Sequence, residues 1–173
     1  SLRSHFWHHT DPDRTGLLPF VFEKKFNFER YTDYALNVPM YFIKRDNKYF
    51  DMTNYTFKDF FDGKCSNINH EVTIKDWEDH LTTLFPQARL KKYIEIRSMD
   101  ACNWDLICSQ PAFWIGILYN DEISDKVQEI TESWTDEDRY FLNQQVPEEG
   151  LQTKFKQKKI IEFAQEFYDL SKK

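Results

Sequence analysis

A carboxylate and a guanidinium stand two residues apart in the segment YIEIRSMD, as Glu95 and Arg97. Side chains alternate faces along a β-strand, so Glu95 and Arg97 would share one face with Tyr93, whereas Ile94 and Ile96 would share the other. On such a face the carboxylate could hold a cation and the guanidinium a phosphate or carboxylate. The alternation alone, however, favours an ordinary amphipathic strand whose polar face lies in water.

Magnesium prefers carboxylate and substrate-phosphate oxygens, so Glu95 with Arg97 beside it would suit a magnesium–nucleotide site. A single carboxylate does not complete such a site, and the sequence has no obvious second cluster. The motifs G-x-x-x-x-G-K-[ST], G-x-G-x-x-G, G-x-S-x-G and H-E-x-x-H are absent, which excludes most common enzyme signatures. A nucleophile pair of Cys65 or Cys108 with His80 has no local support.

Composition indicates one globular domain. The chain has 173 residues with 16 Phe, 9 Tyr and 5 Trp but only 4 Gly, which excludes low-complexity disorder. The net charge is −6, and no basic stripe is interleaved with aromatic residues. We therefore expect no nucleic acid among the partners of this chain.

Cysteine usage and hydropathy favour a cytoplasmic protein. The three cysteines form no C-x-x-C pair, and an odd count is typical of reduced thiols rather than a disulfide framework. The longest apolar run, AFWIGILY, is far shorter than the roughly 20 residues that span a bilayer. No secretory signal is evident, so we expect no membrane association.

The pattern of elements predicts an α+β fold with strands in residues 1–100 and helices in residues 101–173. Residues 1–20 are interpreted as a loop, and a hairpin is expected around a turn at Asp46 and Asn47. Thr-x-x-Asp capping boxes predict helix starts, and later periodicity predicts further helices. The capping boxes begin at Thr56, Thr73 and Thr135, and the later helices are expected near 104–119, 122–133, 135–145 and 155–170.

The expected strands are too few for a stable sheet. Three or four strands interrupted by helices leave unpaired edges, and a two-stranded ribbon is marginal in water. We therefore expect these strands to join others from outside the chain, or to pair in a homodimer.

Several longer motifs occur in a fixed order along the whole chain. They are RSHFW, TDPDRTGLLPF, YTDYALNVPMYF, DWEDHLTTLFP, the YIEIRS strand and PAFW. Together they resemble the C-terminal part of glutamate–cysteine ligase, also called γ-glutamylcysteine synthetase, in the group shared by plants and many proteobacteria.

The resemblance implies a partial antiparallel sheet of the glutamine-synthetase-like carboxylate–amine ligase fold, followed by a helical C-terminal part. It further implies that residues 1–173 form one unit, the C-terminal part of a larger ligase domain, with the active-site residues in 1–100. The expected reaction joins the γ-carboxylate of glutamate to cysteine through an acyl phosphate. It uses ATP and Mg²⁺, and it is the first step of glutathione synthesis.

The resemblance also implies roles for individual residues. Glu95 would be a magnesium ligand, and Arg97 would contact ATP phosphate during transfer as both a catalytic and a cofactor-binding residue. Arg3 would pair with a substrate carboxylate, and Tyr41 would line the cysteine end of the pocket.

Family members are far longer than this chain, and their N-terminal part supplies further ligands and much of the ATP and glutamate site. Activity of these 173 residues alone is therefore doubtful. Two alternatives stay open: a non-catalytic binding or assembly module, and one half of a split enzyme whose N-terminal half is a separate chain.

Overall fold

A computed structural model describes residues 1–66 and 68–173, and it divides into two compact units. Trp7–Ser98 form the central unit, and Ser1–Phe6 together with Met99–Lys173 form the helical unit. The described residues combine helices with short, mostly antiparallel strand pairs, which agrees with the expected α+β class.

The helices and strands are short. The helices are α1 (Leu2–Trp7), α2 (Phe28–Asn37), α3 (Phe57–Phe61), α4 (Ile74–Thr82), α5 (Trp104–Ile107), α6 (Ser109–Leu118), α7 (Asp121–Glu132), α8 (Asp136–Glu149) and α9 (Ile160–Ser171), with 3-10 turns at Pro19–Phe22 and Gly150–Gln152. The strands are β1 (Thr15–Gly16), β2 (Phe42–Arg45), β3 (Lys48–Asp51), β4 (Phe85–Pro86), β5 (Ala88–Leu90), β6 (Ile94–Ile96), β7 (Lys154–Phe155) and β8 (Lys158–Lys159).

Within the described residues the strands pair only two by two. β1 and β4 are parallel, whereas β2–β3, β5–β6 and β7–β8 are antiparallel. A two-stranded ribbon is marginally stable by itself, so each pair depends on the helices packed against it or on additional strands.

The β2–β3 hairpin anchors the central unit. Asp46 and Asn47 have φ angles of 46° and 61°, the left-handed values that a tight two-residue hairpin turn requires, and the hairpin expected there is confirmed. Behind it, Met40, Ile43 and Met52 are at most 1% exposed and form the centre of a hydrophobic cluster.

Helices α3 and α4 begin at the expected capping boxes. In α4, the Thr73 hydroxyl accepts a hydrogen bond from the Asp76 amide, and the Asp76 carboxylate accepts one from the Thr73 amide. Both oxygens of Asp76 also accept from Arg45 at the end of β2, at 2.6 and 2.7 Å. Burial alone would raise the pKa of Asp76, but these hydrogen bonds outweigh it and lower the pKa, so the carboxylate stays ionised and ties α4 to the hairpin.

The helical unit corrects the expectation that residues 1–20 form a loop throughout. Residues from Leu2 onward form α1, whose Arg3 amide donates to Asp100 Oδ1 at 2.9 Å, while the Ser4 amide donates to the Ser1 hydroxyl. This cap comes from a residue nearly a hundred positions away, so local periodicity could not indicate it.

The helix expected near 155–170 begins later than predicted. Residues 154–159 form the β7–β8 hairpin around Lys156, whose φ is 52°, and α9 begins only at Ile160. Helices α6 and α9 then pack very closely, because a Cβ at Gly116 would overlap the backbone carbonyl of Ser171. Among the described residues no helix has the length and apolar character to cross a bilayer.

His80 is a buried titratable group in the central unit. It is 4% exposed, and its Nε2 donates to the Ala35 carbonyl at 2.8 Å, so Nδ1 carries no proton in the neutral ring. No described residue hydrogen-bonds that Nδ1. Burial lowers the pKa of His80 from its ordinary value of 6.5, although the Ala35 hydrogen bond partly opposes the shift.

We predict that His80 makes the chain less stable in mild acid. Because its folded pKa lies below its unfolded pKa, the unfolded chain binds a proton that the folded chain does not as pH falls below about 6.5. The free energy of unfolding in urea should therefore fall between about pH 7.5 and about pH 5.5, and His80→Gln, which keeps a donor for Ala35, should reduce that fall. An identical fall in wild type and variant would contradict this assignment.

Candidate functional site

The β5–β6 hairpin presents one charged face and one apolar face. Arg89 pairs directly with Glu95 across the hairpin, whereas Leu90 pairs with Ile94 on the opposite side of the ribbon. The strand predicted around Glu95 is confirmed as β6, and its antiparallel partner β5 lies immediately before it in the chain. The charged face is therefore built by two strands rather than one.

Arg89 holds Glu95 and the end of helix α4 together. Its Nε donates to Glu95 Oε2 at 2.6 Å, and its Nη2 also contacts that oxygen. Its Nη1 donates to the carbonyls of Thr82 and Leu84 at 2.7 and 2.9 Å. A cation at the C-terminus of a helix is favoured by the helix dipole. Arg89 is only 8% exposed, and its guanidinium donates to the Glu95 carboxylate on one side and to the helix-end carbonyls on the other.

Two further cations stand beside Glu95. Lys91 Nζ lies 3.6 Å from Oε1, and Arg97 Nη1 lies 3.8 Å from Oε2. The partial burial of Glu95 would by itself raise its pKa, but the hydrogen bond and charge of Arg89 outweigh this and lower it. Three cationic side chains thus surround one ionised carboxylate, and the excess positive charge suits an anion such as phosphate.

Arg97 is positioned by the backbone and by two aromatic rings. Its amide donates to the Gln87 carbonyl at 2.8 Å, which extends the hairpin pairing by one residue. Its guanidinium carbon lies 5.7 Å from the centre of the Trp7 ring and 5.4 Å from that of Phe85. These cation–π contacts help to orient a partly exposed guanidinium.

Tyr41 belongs to a second charged group in the central unit. The Arg14 guanidinium stacks on its ring at 3.7 Å, and its hydroxyl donates to Asp11 Oδ2 at 3.4 Å. Arg14, 2% exposed, donates to the same Asp11 oxygen at 2.6 Å and to the Pro39 carbonyl at 2.8 Å. The Arg14 hydrogen bond lowers the pKa of Asp11, and burial raises the pKa of Tyr41, so Tyr41 stays a neutral donor at neutral pH.

The β1–β4 pairing brings these two groups toward each other. The Phe85 amide donates to the Arg14 carbonyl at 2.7 Å, and the Phe85 ring contacts the Arg97 guanidinium. Glu95 and Arg97 lie together on the hairpin, and Tyr41 lies beside Arg14, the residue directly before β1. Arg3 belongs to the helical unit, where its amide caps onto Asp100.

Sequence reasoning missed Arg89, and it gave Arg14 no role. Arg89 stands six residues before Glu95, and the intervening LKKYI carries no Gly, Pro, Asn or Asp turn signal. One signal for a partner strand was present in the sequence. Arg89 is charged and Leu90 is apolar, so these two residues show the same alternation as Glu95 and Ile94, with which they pair across the hairpin.

The described residues give little support to a cysteine nucleophile or to a metal site. Cys65 is buried in the hydrophobic cluster, which raises the pKa of its thiol, and a protonated thiol is a poor nucleophile. In residues 1–66 and 68–173 no group of three or more His, Cys, Asp or Glu side chains could hold a metal ion. Because cations also face both oxygens of Glu95, the described residues alone do not fit a magnesium site.

The sequence model of glutamate-cysteine ligase family 2 matches residues 1–171. The chain belongs to this family. The resemblance recognised in its motifs is thereby confirmed.

Plant relatives match almost the entire chain. Glutamate–cysteine ligase A, chloroplastic, of Oryza sativa subsp. indica is 49% identical over 173 residues, which cover 99% of this chain and 35% of the relative. The chloroplastic ligases of Medicago truncatula and Arabidopsis thaliana are 49% and 47% identical, with 34% and 33% of each relative covered. The chain thus spans about a third of the length of these relatives.

The names of these relatives correct the expected location. Each is named chloroplastic, which points to a plastid rather than the cytoplasm. The odd cysteine count indicates reduced thiols only, and thiols are reduced in more than one compartment.

We predict that Arg89 is the most important cation of the charged face for stability. Arg89→Met would leave a partly buried carboxylate and two helix-end carbonyls without their donor, at a cost of roughly 3 kcal/mol in the free energy of unfolding. Lys91→Met removes only a longer and more exposed contact, and should cost less than about 1 kcal/mol. Urea unfolding of both variants tests this, and equal losses would contradict the arrangement.

Proposed function

We propose that this chain supplies one part of a glutamate–cysteine ligase. The whole enzyme would join the glutamate γ-carboxylate to the cysteine amine with ATP, giving γ-glutamylcysteine for glutathione synthesis. The observation that carries this proposal is the 49% identity over the full chain to a relative named as such a ligase, together with the family match over residues 1–171. We also propose the glutamine-synthetase-like ligase fold, with the paired strands of the central unit as part of its sheet.

The chemistry explains why a cationic face is needed. A carboxylate does not react with an amine at neutral pH until one of its oxygens becomes a good leaving group. ATP, when bound, supplies the phosphoryl group for this step, and the cysteine amine then displaces phosphate from the activated carbonyl. Negative charge grows on the transferred group and its leaving oxygen, so fixed cations lower the barrier.

We assign Arg97 the central role on this face. Its guanidinium would pair with phosphate oxygens and stabilise the charge that develops during transfer. The supporting geometry is the pair of aromatic rings that orient Arg97, and the ion pair in which Arg89 already neutralises Glu95 from the buried side. Lys91 adds positive charge at the same face.

The remaining assignments follow from the family. Tyr41 would line the cysteine end of the pocket, oriented by Arg14 and Asp11. Arg3 would pair with a substrate carboxylate. Glu95 as a magnesium ligand stays a prediction that requires further carboxylates from outside the described residues, and no step is derived from it.

The partner implied by this proposal is the rest of the ligase, either in the same polypeptide or as a separate N-terminal half. A plastid location is proposed because the relatives are named chloroplastic. A non-catalytic assembly module is the alternative, and the unpaired edges of the two-stranded sheets are the observation that favours it.

The proposal predicts cysteine-dependent turnover that requires Arg97. This chain would be combined with the part of the Oryza sativa subsp. indica ligase that it does not cover, and phosphate release measured with Mg–ATP, glutamate and cysteine. Arg97→Ala should lower the rate about a hundredfold because it removes a cation from the transferred group. Lys92→Ala, at a side chain 84% exposed on the same hairpin, is the matched control and should keep the wild-type rate.

Two results would contradict the proposal. Full activity of Arg97→Ala would remove Arg97 from the site. No phosphate release from the combined polypeptides, with both shown to be folded and bound to each other, would favour the assembly module.

A further inference from the structure

The central unit contains a large apolar groove on the side of the β5–β6 hairpin opposite the charged face. Its volume is about 620 Å³, and its walls come from the segment after β1, the start of α2 and the hairpin itself. We call it the apolar groove. The lining residues used below are Phe26, Asn27, Phe28, Tyr31, Leu90 and Ile94.

Large side chains of this groove are left in water. Phe28 is 76% exposed, Ile94 is 67% exposed and Phe26 is 40% exposed. Single exposed apolar residues are ordinary on a protein surface, but several around one concave surface indicate an interaction site. Covering them would release ordered water and stabilise the complex in proportion to the apolar area buried.

The polar groups of the groove do not suit a small polar ligand. The Asn27 side chain already accepts from the Arg30 amide at the start of α2, and the Tyr31 hydroxyl accepts from the Leu90 amide. Small-molecule sites usually add several convergent polar groups to their apolar walls. The surface therefore fits apolar protein side chains better than a nucleotide or an amino acid.

The hairpin that forms one wall is itself incomplete. β5 and β6 pair only with each other among the described strands, and such a ribbon needs packing on its apolar face to be stable. The groove is the space next to that face, where Leu90 and Ile94 lie. A segment seated there would support the same two strands whose other face carries Arg89 and Glu95.

We propose that the apolar groove receives apolar side chains from the part of the ligase that this chain does not cover. The chain covers 35% of the Oryza sativa subsp. indica relative, so about two thirds of that protein is available to fill it. The inference rests on the proposed function in naming the partner. It goes beyond that function in locating the contact surface and in linking it to the charged face.

The test compares two matched double variants. Phe28→Ser with Ile94→Thr changes two exposed side chains of the groove. Phe61→Ser with Ile74→Thr makes the same changes at side chains of the same unit that are 69% and 75% exposed and do not line the groove. Circular dichroism and urea unfolding should show that both variants fold.

The probe is the part of the Oryza sativa subsp. indica ligase that this chain does not cover, produced as a separate polypeptide. Isothermal titration calorimetry measures its binding to wild type and to each variant. We expect the groove variant to bind about tenfold more weakly or worse, because two apolar contacts are lost, and the control variant to bind within about twofold of wild type.

The outcomes separate the groove from the reaction. Equal binding by both variants, or no binding by wild type, overturns the groove proposal. So does self-association of wild type in sedimentation that the groove variant abolishes, which would identify a second copy as the occupant. If only the groove variant loses binding and the combined wild-type polypeptides show no ligase activity, the groove proposal is supported and the proposed function is contradicted. If the combined polypeptides are active and both variants bind equally, the proposed function is supported and the groove proposal is contradicted.

Discussion

The candidate site depends on the guanidinium of Arg89. This buried group joins the carbonyls at the end of α4 to the carboxylate of Glu95 across the β5–β6 hairpin. A buried cation is tolerated only where its charge and its donors are satisfied, so the helix end, the turn after it and the strand must keep one relative placement. The position of the neighbouring Arg97 follows from that placement, because β6 runs directly into it.

The two faces of this hairpin differ in chemistry. On one face, the ionised Glu95 is in contact with the cationic side chains of Arg89, Lys91 and Arg97. On the other, Leu90 and Ile94 border a groove that no described residue fills. A ribbon of two strands is only marginally stable by itself. Catalysis requires a charged face held within a fraction of an ångström, so we infer that packing on the apolar face is what gives the charged face its precision.

Sequence patterns predicted the local elements well, because local chemistry determines them. The Thr73 and Asp76 capping box and the Asp46–Asn47 turn satisfy backbone groups a few residues away, and both appear where they were expected. The alternation around Glu95 likewise predicted β6. The α1 helix and the role of Arg89 were not predicted, because both depend on contacts that are not local in the sequence. The Arg3 amide donates to the carboxylate of Asp100, and Arg89 meets Glu95 only because the chain turns between β5 and β6. The family resemblance implied roles for individual residues, but not how each side chain is held.

Under the proposed function, the charged face of the hairpin would bind the phosphates of ATP. The most direct test combines this chain with the part of the Oryza sativa subsp. indica ligase that it does not cover, adds ATP, and follows the side-chain Nε–H resonances of the arginines of this chain by NMR. The resonances of Arg97 and Arg89 should shift with added ATP, while that of Arg45, paired with Asp76 elsewhere in the same unit, should stay in place. Shifts at Arg45 with none at Arg97 and Arg89, or no shift at any of the three, would contradict it.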